Sequence, residues 1–308
     1  MNPDSPRRLL LYAQLLLGAA LFLWLLSLVD WSVLGTISTE QLGIFAIAGL
    51  LFLASGVPES HRLWTLARGH TGWAGNARLT LGSYFFSNIL PTNLGGDAYK
   101  VIGLRRNCSL LDASAIVLTD RILGLALLVL GSLPFLPALF SRLPALTAQL
   151  NPNNLILFFL SLLAASGVIV VASAGLRQRL SRLLNNLSRS QRPGAGTLGQ
   201  LSIAIVLFHS LRAVSLVLIA NALGTDLAFG AAWAALGVAA VVSLLPVSVA
   251  GLGVREAAFA ATLPVFGMSL SDALLCALLL RTFQLIQGLL GGLSLAVSSR
   301  DHLQEAGQ

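Results

Sequence analysis

Two apolar stretches of this chain are interrupted in the same way, at Leu90-Pro91-Thr92-Asn93-Leu94-Gly95-Gly96-Asp97 and at Leu245-Pro246-Val247-Ser248-Val249-Ala250-Gly251-Leu252-Gly253. Each carries Leu-Pro, then glycines, then one basic residue nine positions after the proline: Lys100 follows Pro91 and Arg255 follows Pro246. The flanking sequence reads as membrane helix, which makes the breaks a severe constraint. Hydrocarbon has no partner for the N–H and C=O groups that a broken helix releases, so a break is tolerated only inside protein or beside a polar cavity. A pair of breaks in corresponding positions of two halves points to the binding site of a transporter.

The membrane assignment rests on bulk numbers. The chain is 56% hydrophobic and only 10% charged over 308 residues, where a soluble domain carries about 25% charged residues. Residues 1–308 therefore read as one integral membrane domain, an all-α polytopic protein of about six to eight transmembrane helices. The runs long enough to cross are Leu9 to Val29, Leu42 to Val57 with its flanks, Ala113 to Leu133, Leu155 to Ala174, Leu201 to Leu223, Leu227 to Ala250 and Ala273 to Val297. Leu79 to Leu90 and Val254 to Phe266 are weaker and too short to span comfortably. The first run follows Arg7-Arg8, but it exceeds the roughly 7 to 15 apolar residues of a signal peptide and is read as a retained span. Cys108 and Cys276 lack metal-ligand spacing and are expected to be free thiols.

Basic residues give an orientation. Arg7, Arg8, Arg62, Arg68, Arg78, Lys100, Arg105, Arg106, Arg177, Arg179, Arg182, Arg189 and Arg192 make 13 of the 19 and fit one side of the membrane. The loops Asp30 to Gln41, Pro134 to Asn153 and Asn221 to Asp226 hold a single arginine, Arg142. Both termini are then expected in the cytoplasm, and residues 79–96 must enter and leave by the same face as a re-entrant hairpin. The second break is either re-entrant from the outer face or a full span, Leu227 to Ala250, followed by a thin returning helix; charge does not separate the two. The pattern suggests an inverted repeat of halves at roughly residues 1–140 and 150–300, joined through a solvated basic loop, residues 175–199.

Ionisable residues within the spans carry the functional expectation. Asp120, Arg121, His209, Arg212 and Arg281 all fall inside apolar runs, where an Asp or Arg at the helix centre costs roughly 2.5 to 3.5 kcal/mol and implies a polar interior. Arg281, Gln284, Gly288 and Gly291 share one helical face. Gly288 and Gly292 have the spacing of a close helix contact. Asp120 is expected to pair with Arg281 or Arg212. Three arginines against one aspartate still leave two positive charges, and arginine's planar fork suits phosphate or carboxylate. The helices restarting after Gly95-Gly96, with Asp97 as N-cap, and after Gly251 and Gly253 would aim N–H groups at the same region. The expected substrate-binding set is Arg121, Arg281 and Arg212, with Lys100, Arg255, Asn88, Asn93, Asp97, Asp120, Glu256 and Gln284 around the breaks. His209 reads as an interior histidine, or as a proton-sensitive group beside Arg212. No Walker A loop, dinucleotide fingerprint, HExxH or catalytic triad is present, so no enzyme activity, cofactor, metal or nucleic-acid partner is expected.

Asn88 through Lys100, Thr119-Asp120-Arg121-Ile122-Leu123-Gly124, Pro246 through Glu256, and Arg281 together resemble the lysylphosphatidylglycerol synthase transmembrane family, a flippase-like membrane domain. The likeness runs over nearly the whole chain, with the motifs in order. Lys100 departs from it, since the family pattern GGD-x-x-R has arginine there. The aminoacyl-transferase domain of the bifunctional members has no counterpart, because no polar stretch is long enough to hold one. The resemblance therefore implies movement of a lipid with an anionic or phosphate-containing head between the leaflets of a bacterial inner membrane. Two rival readings stand beside it. One is a membrane-embedded transferase using Asp97, Asp120 or Glu256; the other is a non-catalytic subunit, homo-oligomeric or bound to an envelope-biosynthesis partner.

Overall fold

The computed structural model describes residues 16, 18–89, 95–135, 137, 194–244 and 252–305. Pro91, Asn93, Pro246 and Gly251, the span expected at Leu155 to Ala174 and most of the basic loop lie outside the described residues. The described residues are all-α, with no strand among them.

Helix α1 (Gly18–Ser27) leads through a short 3-10 turn to α2 (Thr39–Ala54). A reciprocal cap starts α2: the Ser38 hydroxyl accepts the Gln41 N–H at 3.2 Å, and the Gln41 side chain accepts the Ser38 N–H at 2.7 Å. Helix α2 passes through Ser55 directly into α3 (Gly56–Leu66). Together they make a 28-residue span, Thr39–Leu66, where sequence alone suggested an exit near Val57. Pro58 explains the difference, because it sits in the first turn of α3, where its missing N–H and fixed φ are harmless. The helix runs on through the single turn residue Ser55, which keeps helical dihedrals, and does not end.

Helices α4 (Trp73–Ile89) and α5 (Gly95–Leu104) flank the first break and run antiparallel. Leu79 lies against Gly103, Gly82 against Tyr99 and Ser83 against Gly96, and the Phe86 and Tyr99 rings stack at 4.6 Å. Helix α6 (Leu110–Ser132) follows, capped by Ser109. Beyond the undescribed stretch come α7 (Ala195–Ala222), α8 (Phe229–Val242), α9 (Val254–Thr262) and the 36-residue α10 (Leu270–Glu305). Helix α8 stops after 14 residues, about 21 Å of rise against the ~30 Å of hydrocarbon. The run from Leu227 is thus not one helix as far as Ala250. Among the described residues four helical stretches are long and apolar enough to cross a membrane: Thr39–Leu66, Leu110–Phe135, Ala195–Ala222 and Leu270–Ala296.

Close packing, not expulsion of water, must hold such helices together, since lipid tails are as apolar as leucine. Two seams show how. Helix α8 buries Ala231, Ala232, Ala234, Ala235 and Ala239, which brings its backbone close to its neighbours, and Trp233 donates its indole N–H to the Leu128 carbonyl at 3.1 Å. The small face of α10 meets α4, realising the close contact expected of its glycines. A methyl group on Gly291 would stand 2.0 Å from the Leu81 carbonyl oxygen, and one on Gly288 would strike the Asn88 amide. Outward, Leu50, Ile102, Leu130, Ile203, Leu289 and Leu293 are exposed, the surface that a lipid-embedded bundle presents.

Candidate functional site

The continuation of the helix through Ser55 determines what the inner face of α3 does. Ser55 and Ser60 turn their hydroxyls onto the Phe52 and Gly56 carbonyls at 2.6 and 2.7 Å, a local bonding typical of helical serines. Glu59 and Arg62, one turn apart, point inward. Glu59 is 8% exposed and accepts two bonds, from the Lys100 ammonium at 2.7 Å and the Tyr84 hydroxyl at 2.6 Å. Arg62 forks onto Asp120, its Nη2 at 2.9 Å from Oδ2.

Two further pairs lie on the later elements. Arg121 pairs with Asp97 at the start of α5. Glu256, in the first turn of α9, accepts the Gly253 N–H at 2.8 Å and the Arg281 Nε at 2.7 Å. Gly253 has φ 79°, a left-handed turn open to glycine at little cost, and this turn places its N–H over the Glu256 carboxylate.

The four pairs change the expected roles. Asp120 takes Arg62, not Arg281 or Arg212, because α3 continues inward where the sequence suggested a cytoplasmic loop. Arg121 and Arg281, expected as the main anion ligands, each meet a carboxylate one helix away. Lys100, in place of an arginine, makes a one-point pair with Glu59.

Of the arginines expected in the site, Arg212 and Arg255 have no carboxylate in ion-pair range among the described residues. Arg212 donates its Nε to the Ser55 hydroxyl at 3.2 Å and lies over the rings of Phe52 and Phe208, at 4.6 and 4.2 Å. Arg255 donates to the Gln284 side-chain oxygen at 2.8 Å. Gln284 and Asn88 bond to one another across α10 and α4, the Asn88 amide donating to the Gln284 backbone carbonyl at 3.1 Å. One turn further, Gln287 is 2% exposed, and neither its amide nitrogen nor its oxygen has a partner. Its nitrogen lies beside Gly56, which also faces the Tyr84 hydroxyl. A polar track therefore runs Arg255, Gln284, Gln287, Gly56, Ser55, Arg212. Asn88, Arg255, Gln284 and Arg212 were legible in the sequence as members of such a site; Glu59, Arg62, Tyr84 and Gln287 were not. The sign available was spacing, since Ser55, Glu59 and Arg62 follow one another at helical steps on the face that also carries Phe52.

The charge balance survives with different members. Arg62, Lys100, Arg121, Arg212, Arg255 and Arg281 face the carboxylates of Glu59, Asp97, Asp120 and Glu256, again leaving two positive charges. His209 is an interior histidine, its Nε2 3.2 Å from the Gly124 carbonyl and its ring edge against Trp233. Among the described residues no group of three or more His, Cys, Asp or Glu side chains is placed to hold a metal ion. Cys108 and Cys276 are free thiols.

An apolar groove of about 300 Å³ opens elsewhere, on the outer face between α3 and α7, lined by Val57, Pro58, His61, Trp73, Ile203 and Leu207 among others.

The chain matches a family model described as the lysylphosphatidylglycerol synthase TM region over residues 11–292. No curated protein and no solved structure matches it.

Proposed function

The chain belongs to the lysylphosphatidylglycerol synthase TM region family, and from that premise we propose that it translocates a lipid with a phosphate-bearing head across the membrane, in the manner of a flippase or scramblase. The observation that carries this reading is the pair Arg212 and Arg255, two guanidiniums without a carboxylate in a bundle whose carboxylates are all engaged. Both guanidiniums are half-buried among neutral side chains, and a lipid phosphate supplies a counter-charge with matching two-point geometry. Neutral side chains hold both arginines, which leaves their remaining N–H donors for a ligand.

The head group would follow the polar track, with Gln284, Gln287 and Asn88 supplying uncharged hydrogen bonds, while the tails stay in lipid. The hairpin α4–α5 would be re-entrant and α8–α9 its inverted counterpart, with both termini in the cytoplasm of a bacterial cell. The lipid leaves chemically unchanged, so no catalytic base is required of Glu256 or Asp97, each of which is held in an ion pair.

The test is leaflet exchange in proteoliposomes, with labelled anionic, zwitterionic and polyprenyl-phosphate lipids. Arg255→Gln and Arg212→Gln should slow exchange at least tenfold, the loss of one charge-assisted bond of roughly 1.5 to 3 kcal/mol, while melting temperature stays close to wild type. Folded wild-type protein that moves none of these lipids overturns the reading.

A further inference from the structure

We propose that the head group taken by this site carries two negative charges on phosphate, as a phosphomonoester or a diphosphate, and that a singly charged phosphodiester is a poor ligand. The inference rests on the translocation reading above and adds the charge class of the substrate.

The count closes over the sequence. The stretches 90–94, 138–193 and 245–251 contain no Asp or Glu. Of the remaining acids, Glu40, Asp112 and Asp272 lie in first turns of helices. Asp30 and Asp226 are in loops, and Asp4, Asp301 and Glu305 are near the termini. Among the described residues no carboxylate stands within ion-pair range of Arg212 or Arg255, and the four interior ones are held by other cations.

The two arginines also share one region. Arg212 and Arg255 stand at the two ends of the track, on Ser55 and on Gln284, and the track between them is made of neutral amides and a hydroxyl. Among these, Gln287 is buried with both a donor and an acceptor unused, an arrangement that costs free energy until a polar group arrives. A ligand of one negative charge would leave one guanidinium uncompensated in a medium of low dielectric. A ligand of two charges completes the set.

Head-group charge is thus the shared chemistry, and a glycerolipid phosphomonoester or a polyprenyl carrier could supply it. The experiment measures binding to the purified full-length protein in nanodiscs alongside leaflet exchange in liposomes. The probes are phosphatidic acid, polyprenyl monophosphate, polyprenyl diphosphate, phosphatidylglycerol and phosphatidylcholine. Near pH 8 the two monoesters, and the diphosphate with its still higher charge, should bind about tenfold or more tightly than phosphatidylglycerol, the scale of one additional charged hydrogen bond. Near pH 5, below the second phosphate pKa of about 6, the monoesters should lose that advantage and the diphosphate should keep it. Arg255→Gln should shrink the gap between doubly and singly charged lipids, and Arg212→Gln provides the same reading if the first variant melts early. Preference for both phosphatidic acid and the polyprenyl phosphates supports recognition by head alone. Preference for the polyprenyl lipids only, at equal charge, supports the same count with a tail requirement. Equal binding of phosphatidylglycerol and the doubly charged lipids, with exchange intact, overturns the charge inference and leaves translocation standing. Absence of binding and exchange for every probe overturns both.

Discussion

Glu59 receives a proton donor from each of two other helices, Lys100 on α5 and Tyr84 on α4, and this one carboxylate fixes three elements at once. Removing either charge of such a buried pair leaves its partner unpaired, at a cost of about 3 to 5 kcal/mol. Asp120→Asn, which strands Arg62, should lower unfolding stability by that order, and the double variant Arg62→Gln with Asp120→Asn should recover part of it; chemical denaturation in detergent measures both. Arg281→Gln should act in the same class, lowering the melting temperature by exposing Glu256, whereas Arg255→Gln should mainly affect lipid movement. Positions such as Asp120, Arg121, Arg212 and Arg281 were legible in the sequence, since any charge within an apolar run stands out. Their pairing was not, because it depends on which helices touch, and Pro58 disguised Glu59 and Arg62 as the start of a loop.

At the scale of elements, glycine sets how closely helices approach. A side chain at Gly291 meets the Leu81 backbone carbonyl, which no rotamer change can relieve, while Gly72 faces open space. Gly291→Ala should therefore cost about 1 to 3 kcal/mol by overpacking, and Gly72→Ala should leave the melting curve nearly unchanged. Many of the elements were readable: the runs around Leu42 to Val57, Ala113 to Leu133, Leu201 to Leu223 and Ala273 to Val297, the short helices beside the breaks and the small face of α10 follow from hydropathy and spacing. The joining of α2 to α3 through Ser55 was not, because Gly56-Val57-Pro58 carries the signals of a terminus and only the folded structure shows that the helix runs on.

For the whole molecule, the excess of basic residues on one side predicts an orientation that thiol labelling can read. Cys108 lies between α5 and α6 among Arg105, Arg106 and Asn107, half-buried, whereas Cys276 lies in the core. An impermeant maleimide should label Cys108 from the cytoplasmic face and leave Cys276 untouched until the protein unfolds. Partial burial, with Asp112 nearby, holds the Cys108 thiol above its usual pKa. The thiolate is the reactive form, so labelling should accelerate over a more alkaline range than for a free cysteine. Equal labelling of Cys108 from the outer face would reverse the assigned orientation.

The glycine seam between α4 and α10 joins one helix from each half of the suspected repeat with no side chain between them at Gly291. Jaws hinged between the halves would have to tear that weld on every cycle, whereas a pair kept together would stand as a single pillar. A route that leaves the pillar standing runs along its flank: the head group would climb a slot in the side of the column while its tails trail outside, as a card is drawn through a reader.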